Sequence, residues 1–119
     1  MFFATQLVNN TCDLREDLIN GRRTLASYLG KDRSIKLLKI LTILGFITPI
    51  FLLIFQQINW IVALIVLLTP FLWKNLQIFF NNPDKQKTYL LFIKNESLYF
   101  TIYIALFTLV EIFEQSIIP

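Results

Sequence analysis

Long apolar runs alternate along the chain with short polar or charged joints, and the joints define the elements. No ionisable residue occurs from Ile40 to Trp73. A crossing helix needs about 20 residues, so this run is too long for one. Gln56-Gln57-Ile58-Asn59 interrupts it, which predicts two antiparallel helices over 37–55 and 58–80 joined by a polar turn. Pro49 and Pro70 fall inside them and predict kinks, tolerated where neighbouring helices satisfy the freed carbonyls. A further uncharged run, Ser97 to Val110, extends through its apolar flanks to a helix over 89–118, with Lys94, Glu96 and Glu111 near its ends. Asn81-Asn82-Pro83-Asp84 predicts the turn before it, because the residue preceding proline avoids helical geometry and Asn and Asp accept turn conformations. Trp60, Trp73, Tyr89 and Tyr99 fall near the proposed boundaries, where amphipathic rings favour a headgroup region.

The first 20 residues follow another pattern. On a helix turning about 100° per residue, Gln6, Asn9, Asn10, Asp13, Asp17 and Asn20 share one face, while Leu7, Val8, Cys12, Leu14, Leu18 and Ile19 lie outside it. Asp13 and Asp17 are a turn apart, and a like-charged pair at that spacing costs an isolated helix about 0.2–0.5 kcal/mol. A hard divalent cation is the natural compensation: Mg2+ takes oxygen ligands from one or two carboxylates together with substrate phosphates, so a Mg2+-bridged diphosphate fits. Gly21 can end this helix in a left-handed cap. Arg22 and Arg23 then supply guanidiniums whose rigid fork suits phosphate oxygens. Within a loop over 21–36, Thr24 can cap a short helix that Gly30 terminates. The plainer alternative is a solvated face, with Asp13 and Asp17 countered by Arg15, Arg22 or Arg23 and the two arginines serving only as topology determinants.

Composition places these elements in lipid. The 119 residues are 55% hydrophobic and 16% charged, against usual values of about 45–50% and 25% for soluble chains. The length allows a single domain. With no His and one Cys, the chain can build no His-based zinc site, Ser-His-Asp triad, Cys-His dyad or internal disulfide. Its 11 Lys and Arg residues against 8 Asp and Glu give a net charge of +3. Arg15 to Lys39 precede the first crossing and Lys74 to Lys94 follow the second, whereas the 56–59 turn has no cation. By the positive-inside rule the cationic segments face the cytoplasm, and the turn and the Glu111/Glu114 tail lie outside. Cations spread over membrane-flanking loops lack the single basic face of a nucleic-acid-binding module, which excludes that partner.

The segment Asn9-Asn10-Thr11-Cys12-Asp13-Leu14-Arg15-Glu16-Asp17, followed by Gly21-Arg22-Arg23-Thr24-Leu25 and then Leu29-Gly30, resembles the second aspartate-rich motif of UbiA-type membrane prenyltransferases. The resemblance is nearest to the 1,4-dihydroxy-2-naphthoate polyprenyltransferases, whose pattern runs N-N-x-R-D-x-x-x-D, a short gap, G-K-x-T-L and L-G. It implies an all-α, multi-span bundle with a cytoplasm-facing cavity. There a Mg2+-bound polyprenyl diphosphate gives its prenyl group to an aromatic acceptor, in this subgroup with loss of the acceptor's carboxylate, for menaquinone biosynthesis. Carried over by position, Asp13 and Asp17 are the catalytic metal ligands. Asn9, Asn10, Arg22, Arg23 and Thr24 lie at the diphosphate, Arg22 standing where the family has Lys.

Two departures shape the expectation. Cys12 stands where the pattern has Arg, which removes a cation beside the acid pair and leaves Arg15 as the nearest replacement. These enzymes also carry an earlier, equivalent aspartate motif, and the sequence starts just before the second one. The chain is therefore expected to be a single partial membrane domain over 1–119, the C-terminal portion of the bundle, embedded in the cell membrane with half of the metal site. Its isolated activity is doubtful on that ground. The alternative is a non-catalytic three-span subunit or remnant that associates with an upstream fragment or another copy. A transporter half is weaker, because nothing in transport calls for the Gly-Arg-Arg-Thr-Leu extension.

Overall fold

The computed structural model describes residues 2–117, and every described element is helical. Helices α1 (Phe2–Cys12) and α2 (Leu14–Ile19) meet at Asp13, α3 (Leu25–Leu29) is a short cap, and α4 (Lys31–Ile54) is the first long helix. A broken second helix follows: α5 (Trp60–Ala63), a 3-10 segment (Leu64–Leu68) and α6 (Thr69–Asn81). The last helix is α7 (Tyr89–Ile117). Three of these units, Lys31–Ile54, Trp60–Asn81 and Tyr89–Ser116, are long and apolar enough to cross a membrane. The chain is an all-α membrane protein. Residue 118, the end of the third expected helix, lies outside the described residues, as does Met1.

Several boundaries differ from the expected ones for local reasons. The helix expected over 1–20 is two helices. The Thr11 hydroxyl donates to the Leu7 carbonyl at 2.6 Å, a back-bond of the kind that bends helices. The Asp13 N–H still reaches the Asn9 carbonyl (3.0 Å) and the Asp17 N–H reaches the Asp13 carbonyl (2.8 Å), so hydrogen bonding continues across the junction. The helix that carries the first span begins at Lys31, ahead of the expected 37, because Gly30, at φ 75°, both ends α3 and starts α4, so 31–36 is helical.

The two prolines act differently. Helix α4 runs unbroken past Pro49. Ahead of Pro70 the chain tightens into the 3-10 segment, because Pro70 has no N–H for the Val66 carbonyl. Thr69 serves that carbonyl instead, through its N–H and through its hydroxyl at 2.8 Å.

Phe79, Phe80 and Phe92 form the interior seam between α6 and α7, with ring centroids 4.9–6.0 Å apart. Leu38 of α4, Ile65, Leu72 and Leu76 of the second span, and Leu7 and Val8 of α1 extend the buried core. Outward residues such as Leu44, Phe51, Leu67, Phe71 and Ile104 are exposed and apolar, as a lipid-facing surface requires.

The two ends of the bundle are joined by different chemistry. At one end Asn59 caps α5 through the Ile61 N–H (3.0 Å) and donates to Glu114 of α7 at 2.7 Å, so the polar turn and the end of α7 lie together. At the other end, the α6–α7 loop meets α1 through Lys85. Tyr99, expected near a boundary, is buried inside and donates to the Phe46 carbonyl at 3.4 Å.

Candidate functional site

The segment after Asp17 folds as its residue types dictate. Helix α2 ends in a Schellman motif: Gly21 adopts φ 67°, its N–H reaches the Leu18 carbonyl (3.3 Å), and the Arg22 N–H reaches the Asp17 carbonyl (2.8 Å). The same turn sets the Arg22 Nη1 atom 3.6 Å from the Asp17 carboxylate. Thr24 then caps α3 in a reciprocal box with Ser27: the Thr24 N–H donates to the Ser27 hydroxyl (3.0 Å) and the Ser27 N–H to the Thr24 hydroxyl (3.3 Å). Thr24 is thus occupied in folding the cap, while Arg22 and Arg23 remain exposed.

The two aspartates occupy different surroundings. Asp17 is 4% exposed and faces inward. Asp13 is partly open, and its Oδ2 accepts from Lys85 Nζ at 2.7 Å. The same ammonium donates to Asn9 Oδ1. It also lies 4.8 Å above the Tyr89 ring, within the range of a cation–π contact. Asn9 and Asp13 are thus brought together on one cation, and Asp17 lies one turn on with Arg22. Asn10 is half-buried on the same helix. Of the expected countercharges, Arg22 reaches Asp17. At Asp13 the cation is Lys85, not Arg15, which is exposed.

Lys85 enters the site on a firmly built loop. Asp84 accepts the Gln86 and Lys87 N–H groups, each at 2.8 Å. The buried Thr88 hydroxyl accepts from the Asp84 N–H at 2.9 Å and donates to the Asn82 carbonyl at 2.7 Å. In the sequence Lys85 is one of several membrane-flanking cations. The signal it left was the turn-forming Asn82-Pro83-Asp84 immediately before it.

The site's donors are oxygens from an amide and two carboxylates, the set a hard cation takes. Asn9 Oδ1 and Asp13 Oδ2 already converge on a positive nitrogen, so the arrangement fits a bound cation. Among the described residues no three of His, Cys, Asp and Glu come together, so phosphate oxygens or water would have to complete the coordination. Cys12 beside them adds no nucleophile. Burial pushes its thiol up to about 11, against a smaller opposing effect of Lys85, so it is neutral at ordinary pH.

Deeper in the bundle, α1, α4 and α7 enclose a half-open pocket of about 350 Å3. Phe3, Ala4, Leu41, Phe46, Tyr99 and Phe100 supply much of its wall, and Gly45 leaves room beside them. Thr42 and Glu96 also line it, each with a buried side-chain oxygen that has no hydrogen-bond partner. Glu96, expected near a helix end, turns inward. Composition could not select these wall residues. The one available signal was a carboxylate set at the edge of an apolar run.

Fold and site together define an all-helical membrane protein with paired acids and clustered cations at one end of an apolar bundle. Residues 1–109 match the UbiA prenyltransferase family. The chain belongs to that family of membrane prenyltransferases. Comparison with curated proteins and with solved structures gave no match.

Proposed function

We propose that this chain serves a prenyltransferase that moves a polyprenyl group from its diphosphate to 1,4-dihydroxy-2-naphthoate, with the acid end of the bundle facing the cytoplasm. The observation that carries the reading is the convergence of Asn9 and Asp13 on one cationic atom, with Asp17 and Arg22 a turn away. The narrower choice of acceptor rests on the Asn-Asn-x-x-Asp-x-x-x-Asp spacing and the Gly-Arg-Arg-Thr-Leu segment.

In this reading Asn9, Asp13 and Asp17 hold Mg2+, which when bound neutralises charge gathering on the departing diphosphate. Arg22, at Asp17, and the following Arg23 are exposed and would pair with diphosphate oxygens, with Asn10 and Thr24 as the motif's further polar residues. The pocket starts at Phe3 and Ala4. Ala4 is nine residues before Asp13, so at 1.5 Å per residue it lies about 14 Å away along α1, a depth suited to the apolar chain. The aromatic walls would bury the far part of the prenyl chain, beyond the carbon that bears the diphosphate.

The test is turnover of a polyprenyl diphosphate by membranes carrying the chain, with Asp13→Asn alongside. Activity should require Mg2+ and be lost in the variant; equal turnover in excess chelator would end this reading. A non-catalytic subunit is favoured by one observation, that both acids are already paired with the chain's own cations. It expects no turnover and unchanged assembly with Asp13→Asn.

A further inference from the structure

Lys85 occupies the position where the metal-binding reading needs a cation. Its ammonium is seated by Asn9 Oδ1, by Asp13 Oδ2 at 2.7 Å and by the Tyr89 ring at 4.8 Å. We propose that Lys85 is an exchangeable positioning residue: it holds Asn9 and Asp13 until a metal ion takes those oxygens, then passes its charge to the incoming diphosphate. The proposal rests on the metal–diphosphate reading above and goes beyond its residues.

Three features support the exchange. The oxygens that hold Lys85 are the ones a hard cation would use, and two cations on the same pair of oxygens repel one another. The loop backbone is fixed by Asp84 and Thr88, whereas the Lys85 side chain is 41% exposed on a flexible four-carbon stem, so the charge can move without the loop. Once displaced, the ammonium finds the neighbouring Asp84 carboxylate already engaged by two backbone N–H groups and Asp17 paired with Arg22. The diphosphate is the new anion within its reach.

The exchange predicts effects of opposite sign for two probes, which a merely structural lysine would not produce. The full chain in lipid nanodiscs is titrated with Mn2+, read by electron paramagnetic resonance, and separately with inorganic diphosphate in saturating Mg2+, read by calorimetry. Removing the competing charge with Lys85→Met should tighten Mn2+ binding about threefold, as expected for a part-exposed ion pair. Diphosphate binding should weaken about tenfold with the loss of one charge-assisted contact. Lys85→Gln, which keeps a polar side chain in the Tyr89 seat, should behave alike and covers any folding defect of the Met variant. Asp13→Asn should abolish Mn2+ binding.

Unchanged or weakened Mn2+ binding in both Lys85 variants overturns the exchange and leaves the metal reading standing. Absence of Mn2+ binding even in the unsubstituted chain overturns both.

Discussion

Replacing Gly21 with Ala tests whether the left-handed turn after α2 depends on glycine to position Arg22. Nothing lies within 4 Å of a Cβ added at Gly21, so the substitution meets no steric obstacle. Its cost is set by the backbone alone: φ is 67°, and a side chain there costs about 1–2 kcal/mol. The hydrogen bonds that would open are the Arg22 N–H to Asp17 and the Gly21 N–H to Leu18. Their opening equilibrium should therefore rise about 5- to 30-fold, since about 1.4 kcal/mol corresponds to a factor of ten. Amide hydrogen exchange in detergent or nanodiscs reads this directly, as faster exchange at residues 21 and 22 with α4 and α7 unchanged. Asn, which tolerates left-handed geometry, should fall between Gly and Ala. Exchange at residue 22 as slow in Gly21→Ala as in the unsubstituted chain would refute the reasoning, because no contact is available to repay the backbone cost.

Other positions yield shorter tests. Gln56 adopts φ 55° in the turn after α4 with the same pair of capping bonds, so Gln56→Gly should raise resistance to denaturation by about 1 kcal/mol, and a fall would contradict it. Gly45 lines the half-open pocket with free space at its Cβ, so Gly45→Phe should fill the cavity; prenyl diphosphate binding should drop at least tenfold while inorganic diphosphate binding is unchanged. Cys12 should react with maleimide slowly at neutral pH, with a rate that climbs towards a midpoint near 11. Because the folded thiol holds its proton more tightly than the unfolded one, its contribution to stability is complete below about 9 and lost as pH rises to about 11. A Cys12→Ser chain should lack that loss.

What could be read from the sequence was local. The uncharged runs marked the middles of the spans, since a charge inside lipid is expensive, but not the helix ends: α4 starts at Lys31, ahead of Lys36 and Lys39, and α7 runs through Lys94 and Glu96. Thr24 and Gly30 identified the cap helix because N-cap geometry needs only residues three or four apart, and Gly21 marked the left-handed stop for the same reason. The bend at Asp13 escaped the helical-face argument because a hydroxyl four residues along turned back on the Leu7 carbonyl, a choice that Thr11 makes only in context.

The partner of Asp13 was beyond that reach. Lys85 and Asp13 are separated by 72 positions, and the turn residues before Lys85 mark a loop without saying which acid its cation meets. The pairing exists because α6 and α7 close on Phe79, Phe80 and Phe92, which sets the height of their connecting loop beside the end of α1. Asp84 and Thr88 then fix where along that loop the ammonium leaves the backbone. An apolar seam in the bundle thus determines which cation reaches the acid pair. A substitution that shifts the seam, such as Phe79→Ala, acts on the charged end without touching it.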